Sequence, residues 1–452
     1  MLANMKKLLF ILLAVFTIQS CDILEPDPLT ALDANAALVD GTSANAILLG
    51  AYSRMQNINY YGLEYVLNND LIADNARYQG FFDSQLEIDQ RAVPFTNLWI
   101  TQAWPNIYRV INITNLLITG VPDLEDGTFS QAARNRVLGE AHAIRALAYF
   151  DLLRIYGEFF NESSSFGMPL LIEPIENNDF NRIPNLSRST VAQVYAQVMS
   201  DVDAAVDLLP GFNDRGRMNF WAALSLRARI QLYRGNYTEA FQDANRVISE
   251  GPFQLLDNVR DIYATLTPTA ESIFDVEFND QDQSSFNTYI VRRDEYNVDP
   301  SLLEAFEDGD ARADLFTFSR NSFRSDKYPD NNNGNNTKVF RLAEIYFIRA
   351  EAAVFTNNDP NAGLADLNTV RTRAGLEPLS GFASTDAFVD ALLQERRVEL
   401  NYEGHRFFDL VRYNRIGTVL GMPDFRKVWP IPRDELLVSQ GVLVQNPGYE
   451  TL

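Results

Sequence analysis

The chain has 452 residues, of which 46% are hydrophobic and 22% are charged, as is usual for a folded globular protein. A chain of this length either divides into several domains or extends one core by stacking repeated units. Its formal net charge is −22, so its surface should repel the phosphate backbone, and nucleic-acid binding is excluded as a function.

The first 20 residues are predicted to be a signal peptide. Two lysines precede an apolar run over residues 8–18, which is too short to cross a bilayer and has the length of a signal-peptide core. Cys21 follows this run and is the only cysteine, as in the lipobox of bacterial lipoproteins. The alternative is a plain cleaved signal peptide with a chance cysteine. We favour a lipid anchor on Cys21, because the cysteine stands where that modification requires it.

Helical and irregular segments alternate along the rest of the chain. Residues 21–33 contain two prolines and several acids, and they are predicted to form an extended, lipidated tether. Helical repeats are predicted over residues 34–56, 107–157, 189–250 and 338–415. Loop-rich insertions are predicted over residues 57–106, 158–188, 251–337 and 416–452. We expect these segments to form one domain over residues 34–452.

Several helix ends are marked by local signals. An alanine-rich pattern over residues 131–156 should end at Gly157, and Thr190 should cap a helix that begins at Val191. Pro105 is expected in the first turn of a helix centred on residues 107–118, since proline is tolerated there.

Two predicted helical hairpins resemble each other in the way that structural repeats do. The hairpin over residues 219–249, with the residues that directly follow it, carries small and turn-forming residues where tetratricopeptide repeats place theirs. These marker residues are Ala228, Gly235, Tyr237, Ala240 and Pro252. A second hairpin is predicted over residues 338–374. Repeated hairpins stack and bury a continuous core, so the sequence predicts a helical solenoid.

Charged residues in the last helical segment alternate with apolar ones, as at Arg341, Glu344 and Glu399. Pairing within one helix would contribute only tenths of a kcal/mol per pair. Pairing between helices would fix the register of the stack, and loss of one partner of a buried pair costs about 3–5 kcal/mol. Both interpretations assign these charges to structure and not to catalysis.

The insertion between the two hairpins lacks the helical pattern of its neighbours. Residues 273–278 alternate as a short strand does. Residues 330–336 contain five asparagines and Gly334, but the glycine is out of register with a calcium-binding EF-hand loop. A solvated loop is therefore expected there, without a metal ion.

Short motifs in a fixed order resemble one family over nearly the whole chain. They occupy residues 140–157, 341–344, 367–375, 395–400, 404–412, 430–432 and 445–449. In this order they resemble the SusD/RagB family of outer-membrane nutrient-uptake lipoproteins from Bacteroidetes-type bacteria. The resemblance implies a mainly α fold, in which four tetratricopeptide-like helix pairs pack against an irregular, loop-rich half.

The resemblance also implies a role at the cell surface, on the outer membrane. Members capture oligosaccharides, or in some cases peptides, and close as a lid over a TonB-dependent transporter of the SusC type. A peptide ligand remains an alternative for this chain, as does a repeat scaffold that binds only proteins. A lipid-anchored glycosidase is a third alternative, because the abundant carboxylates leave an acid–base pair open.

Sugar capture in this family resembles stacking on aromatic rings from loops, assisted by amide side chains. The candidate ligand-binding residues are Tyr78, Phe81, Phe82, Asn97, Trp99, Tyr289 and Tyr296. Trp99 and the 78–82 loop are expected to form one wall of a shallow site, with Tyr289 and Tyr296 opposite. The other tryptophans considered, Trp104, Trp221 and Trp429, are assigned to the core. The acidic surface favours neutral or cationic ligands over polyanionic glycans.

No catalytic residue, metal ion or cofactor is predicted. His142 and His405 lie in helical segments, without the spacing of a metal site, and no nucleophile or phosphate-binding motif is present. Both histidines are therefore interpreted as structural residues.

Overall fold

The computed structural model describes residues 37–175, 186–209, 211 and 214–452. The predicted signal peptide, the predicted lipid-anchor residue Cys21 and the predicted tether over residues 21–33 lie outside these residues. Within them the protein is mainly helical, as the sequence predicts.

Fifteen helices are numbered here in chain order through the described residues. The first six are α1 Gly41–Met55, α2 Glu64–Leu71, α3 Asp83–Asp89, α4 Leu98–Gly120, α5 Gln131–Tyr156 and α6 Val191–Leu208. The next five are α7 Phe220–Tyr233, α8 Tyr237–Glu250, α9 Pro300–Leu303, α10 Leu342–Asn357 and α11 Leu364–Arg373. The last four are α12 Thr385–Leu400, α13 Arg406–Arg412, α14 Ile416–Leu420 and α15 Arg433–Val438.

Six short strands pair into three antiparallel ribbons. The strands are β1 Ala76–Tyr78, β2 Ser272–Val276, β3 Tyr296–Val298, β4 Phe316–Ser319, β5 Ser322–Ser325 and β6 Thr337–Arg341. Strand β1 pairs with β3, β2 with β6, and β4 with β5. The strand predicted over residues 273–278 is thus confirmed as β2, and its partner β6 leads directly into α10.

The long helices stack in sequence order. Helix α1 packs on α4, α4 on α5, α5 on α6, α6 on α7, α7 on α8, and α8 on α10, which contacts α11 and α12. Each helix buries one side against the next, so a single apolar core runs through most of the stack. This arrangement confirms the predicted helix-hairpin stack, and the short strands and loops cover one side of it.

Local signals set several of the helix ends. Helix α5 ends at Tyr156, before Gly157, as predicted. Thr190 caps α6 in a capping box with Gln193, in which each side chain accepts a hydrogen bond from the other residue's backbone. Gly235 joins α7 to α8 with a φ of 76°, a left-handed conformation that glycine adopts without strain.

Helix α4 begins nine residues before the expected Ile107. The Asn97 side chain caps it by accepting hydrogen bonds from the backbone N–H groups of Trp99 and Ile100. Pro105 therefore lies inside the helix and not in its first turn, so the predicted boundary between residues 106 and 107 is wrong. The consequence is that Trp99 lies on a packed helix and not on a loop.

The ion pairs agree with the interpretation that these charged residues pair between separate elements and not within one helix. Arg341 at the end of β6 pairs with Glu271, with Glu399 on α12 and with Glu403, at N–O distances of 2.6–2.9 Å. All four side chains are buried. These bonds join the loop-rich half to the end of the stack, and they fix the position of β6 relative to α12.

The asparagine-rich segment 330–336 is not a solvated loop, so that expectation is wrong. Asn333 accepts a hydrogen bond from the Thr288 backbone, and Asn336 accepts one from the Phe278 backbone, at 3.0 and 2.9 Å. Both asparagines are buried. They satisfy one backbone donor at the start of the helical turn Thr288–Arg292 and one in the loop after β2.

Candidate functional site

The seven predicted ligand-binding residues divide into an exposed and a buried group. Phe81 is 74% exposed and Phe82 37% exposed, while Tyr289 is half-buried. The other four, Tyr78, Asn97, Trp99 and Tyr296, are buried. The exposed rings come from two segments more than 200 residues apart in the sequence, which the fold brings together.

Arg293 is the residue around which these rings are arranged. Its guanidinium carbon lies 5.7 Å from the ring centroid of Phe81, 5.0 Å from that of Phe82 and 4.7 Å from that of Tyr289. The two phenylalanine rings lie 4.8 Å apart, centroid to centroid. These four residues are called the ring patch below. Cation–π attraction contributes about 0.5–1 kcal/mol at such exposed sites, so Arg293 holds the rings in place.

Glu295 fixes the orientation of Arg293. Its Oε1 accepts a 2.7 Å hydrogen bond from Nε of Arg293, and its Oε2 accepts a 3.1 Å bond from the Tyr78 hydroxyl. Burial raises the pKa of Tyr78, and the Glu295 charge raises it further, so the hydroxyl remains a donor at neutral pH. Tyr78 therefore supports the ring patch from below and presents no ring face to solvent.

The pairing of β1 with β3 brings the two halves of the ring patch together. Tyr78 lies opposite Tyr296 in the ladder, and their ring centroids are 5.3 Å apart. The Tyr296 hydroxyl donates to Oδ1 of Asn68, and its ring is fully buried. Tyr296 is thus part of the floor, whereas the sequence placed it in an exposed wall.

Trp99 is not an exposed wall either, so this expectation is also corrected. Its ring is 1% exposed, lies 4.6 Å from Trp429 in an edge-to-face contact, and donates its N–H to the Asn59 carbonyl. The Asn97 amide donates to the carbonyl of Ser84 and to Glu87, besides capping α4. Both side chains are therefore fully used in packing.

Glu64 lies beside the ring patch. Its Oε1 accepts a 2.8 Å hydrogen bond from the Gln85 amide, and its charge acts on Tyr289 and Tyr296. Burial raises the pKa of Glu64 to about 8, although the bond from Gln85 opposes the shift.

A hairpin with two more exposed rings adjoins the ring patch and was missed by the sequence analysis. Phe318 on β4 lies opposite Phe323 on β5, with ring centroids 5.1 Å apart. The Ser322 hydroxyl donates to Asn297 of β3 at 2.6 Å, which places the hairpin beside the β1–β3 ribbon. The alternation of residues 316–325 around a central asparagine could have indicated this hairpin.

Another groove is lined by none of the ring-patch residues. It has a volume of about 490 Å³ and is bordered by α4, residues 169–175 and α15. Trp104 is buried there against Tyr108 and Tyr156, at centroid distances of 5.3 and 5.0 Å. Trp104 and Trp429 are thus core residues as predicted, and Trp221 is half-buried.

The two histidines lie in structural surroundings. His142 contacts Asp201 of α6 at 2.7 Å. Burial, together with nearby arginines, holds the pKa of His405 well below its usual value. In the part of the chain that the structure describes, no three His, Cys, Asp or Glu side chains converge as metal ligands would. Likewise, no described helix combines the length and apolarity needed to cross a membrane.

Comparison with protein families identifies this architecture. The profile described as "SusD family" matches residues 315–427, and a SusD-like profile described as "starch-binding associating with outer membrane" matches residues 32–232. The chain belongs to the SusD family. The family description associates members with starch and with the outer membrane, and both halves of this SusD-family chain contribute to the match.

Individual relatives cover nearly the full length of the chain. SusD-like protein P25 of Formosa agariphila is 24% identical over 97% of this chain and 99% of its own length. A solved SusD superfamily protein from Bacteroides thetaiotaomicron superposes with a TM-score of 0.81, at 25% identity over 90% of this chain and 100% of its own. A laminarin-binding SusD-like protein superposes with a TM-score of 0.77, at 24% identity over 91% and 100%.

Proposed function

We propose that this SusD-family protein binds nutrient oligosaccharides at the cell surface and delivers them, as a lid, to a TonB-dependent transporter of the SusC type. The observation that carries the proposal is the exposed ring pair of Phe81 and Phe82, fixed by Arg293 on the loop-rich half. The family description as starch-binding and the laminarin-binding structural neighbour support the choice of carbohydrate.

The chemistry of the ring patch suits a sugar ligand. Aromatic faces cover the apolar C–H faces of a sugar ring, and planar N–H donors bond its hydroxyl groups. Arg293 uses Nε and Nη2 on Glu295, which leaves Nη1 without a partner among the described residues. The patch therefore combines stacking surfaces with an oriented hydrogen-bond donor.

Removal of both exposed rings is expected to weaken retention of a bound polysaccharide. Phe81→Ala with Phe82→Ala removes two stacking faces, each contributing about 0.5–1.5 kcal/mol, which together weaken binding roughly tenfold or more. The measurement is affinity gel electrophoresis against a polysaccharide panel that includes laminarin and soluble starch. The fold should survive, because exposed loop rings contribute little to the core.

Phe160→Ala is the matched control, because Phe160 is 38% exposed and lies in another loop. Unchanged retention in the double variant, with a normal melting temperature, would place the ligand site elsewhere. If the wild type retains no polysaccharide but binds peptides, the peptide alternative replaces the carbohydrate proposal. Release of shorter sugars would instead indicate a glycosidase.

Cys21→Ala is expected to release the protein from the membrane fraction or to leave an unprocessed precursor. The proposed anchor requires several acyl chains on this cysteine, since one chain gives only marginal binding. Metabolic labelling with a radioactive fatty acid, followed by fractionation, measures both outcomes. A Cys21→Ala protein that is labelled as strongly as the wild type would contradict a lipid anchor at this position.

A further inference from the structure

Three arginines in the segments next to Arg293 and on the adjoining hairpin have no carboxylate partner. Within the described ranges, Arg292, Arg320 and Arg324 form no ion pair, whereas Arg293 is matched by Glu295. Arg292 and Arg320 are exposed. Exposed arginines without an ion-pair partner are unexpected in a chain with a net charge of −22, where acidic partners are abundant.

A hydrogen bond joins the Arg320 side chain to the backbone of Arg292. Nη1 of Arg320, at the tip of the β4–β5 hairpin, donates a 3.1 Å hydrogen bond to the backbone carbonyl of Arg292. Arg292 directly precedes Arg293, the residue at the centre of the ring patch. The Arg320 guanidinium therefore lies beside the patch, although 27 residues separate it from Arg293 in the sequence.

The backbone at the hairpin tip gives an independent indication. Arg320 and Asn321 have φ angles of 51° and 70°, as the central residues of a two-residue hairpin turn of the I′ type require. Asn and Gly are preferred in such turns, and arginine is uncommon at positive φ. A long cationic side chain at this position is thus not explained by the turn itself.

The acidic groups around the patch do not neutralise these arginines. Glu295 is engaged by Arg293, and Asp326 accepts a hydrogen bond from Thr317. Asp83, Asp294 and Glu64 are further carboxylates of the same segments, and none of them forms an ion pair in the described structure.

We infer that the ring patch binds glycans that carry anionic substituents. Arg292 and Arg320 would bind a sulfate ester or a uronate carboxylate while Phe81 and Phe82 bind the sugar rings. Arginine suits this role because its planar fork donates paired hydrogen bonds to such groups and keeps its charge at every accessible pH. The inference rests on the proposed carbohydrate function, and it replaces the expectation of a neutral ligand that the overall charge favoured.

Matched polymers test the inference. Laminarin and dextran serve as neutral probes, and their sulfated and carboxymethylated forms supply the two kinds of anion on unchanged backbones. By calorimetry at low salt, at least one anionic form should bind about tenfold more tightly than its neutral parent, as charge-assisted hydrogen bonds allow. The advantage should diminish as sodium chloride is raised, because salt screens exposed charges.

Arg292→Gln combined with Arg320→Gln should remove the preference for the anionic form and leave binding of the neutral parent unchanged. Arg54→Gln is the control, since Arg54 is exposed and lies on α1. A preference that persists in the double variant would overturn the assignment to these two arginines. The sulfated and carboxymethylated arms show which anion is preferred.

The two proposals fail in different ways. Equal affinity for neutral and anionic forms, with loss of both in the Phe81→Ala and Phe82→Ala double variant, would overturn the anionic preference alone. Neutral and anionic binding that both survive that double variant would overturn the ring patch as the ligand site. Absence of binding to all six polymers would count against both proposals.

Discussion

Replacement of Arg341 by methionine is expected to destabilise the protein by about 3–5 kcal/mol, the usual cost of removing one partner from a buried ion pair. Arg341 is the shared partner of Glu271, Glu399 and Glu403, and its Nη2 also donates to the Glu399 carbonyl. Methionine fills part of the volume but leaves buried carboxylates with fewer positive partners.

The same cluster predicts the pH dependence of this loss. Burial by itself would raise the pKa values of Glu399 and Glu403, but arginines 373, 341 and 312 hold that of Glu399 well below its usual value, and Arg341 and Lys327 lower that of Glu403. Carboxylates with lowered pKa values stabilise the folded state above about pH 4.5, and the contribution is lost as the pH falls. The variant should therefore differ most from the wild type at neutral pH and less in acid.

Urea denaturation at pH 7 and at pH 4 measures both effects. Arg246→Met is the matched control, because Arg246 pairs with Glu250 on the surface of α8, where an ion pair contributes at most about 1 kcal/mol. Equal losses of unfolding free energy in the two variants would show that the buried cluster contributes no more than an exposed pair.

The sequence predicted well those elements whose limits are set by adjacent residues. The ends of α5 and α6 follow from Gly157 and Thr190, which act within one helical turn. The start of α4 was misplaced because two local signals competed: Pro105 suggested a first turn, and Asn97 supplied the actual cap. Propensity alone does not decide between them, whereas the packing of Trp99 does.

The tyrosines just before α2 and in its first turn show where sequence reasoning fails. Tyr60, Tyr61 and Tyr65 stand among polar residues and have no helical periodicity, yet all three are buried. Their hydroxyl groups donate to one carboxylate, that of Asp151, which lies 86–91 residues later in the chain. A partner so distant leaves no local pattern in the sequence.

The candidate site was predicted in part for the same reason. Phe81 and Phe82 could be selected as loop aromatics, but Arg293 and Glu295 gain their positions from the β1–β3 ladder, which joins residues about 220 apart. Trp99 and Asn97, which were also predicted to bind ligand, are buried in the structure. Composition indicates that rings and amides are available, and only the tertiary pairing decides which of them face solvent.

Asp151→Ala is expected to lower the free energy of unfolding by about 3–5 kcal/mol, because it leaves the charge of Arg154 buried and three tyrosine hydroxyls without their acceptor. The Asp151 oxygens lie 2.6–2.8 Å from the three hydroxyls. Burial raises the pKa values of these tyrosines, and the Asp151 charge raises them further, so they remain donors at accessible pH.

Two milder variants separate the contributions to this cluster. Tyr61→Phe removes one hydrogen bond and should cost about 1 kcal/mol. Asp151→Asn keeps an acceptor oxygen but removes the charge opposite Arg154, so its effect should lie between those of the other two variants. Chemical denaturation at pH 7 measures all three. Asp151→Ala that is no more destabilising than Tyr61→Phe would show that water replaces the carboxylate at little cost.

The position of Asp151 also predicts which part of the chain is destabilised most in the Asp151→Ala variant. The carboxylate joins α5 of the stack to the segment that leads through α2 and β1 to Phe81 and Phe82. Because exchange reports the stability of each cooperative unit, Asp151→Ala should speed amide hydrogen exchange over residues 57–82 more than over α7 and α8. Uniform acceleration throughout the chain would indicate that the ring patch and the stack unfold as one unit. Selective acceleration, accompanied by weaker glycan retention, would show that this buried carboxylate holds the ring patch on the helical stack.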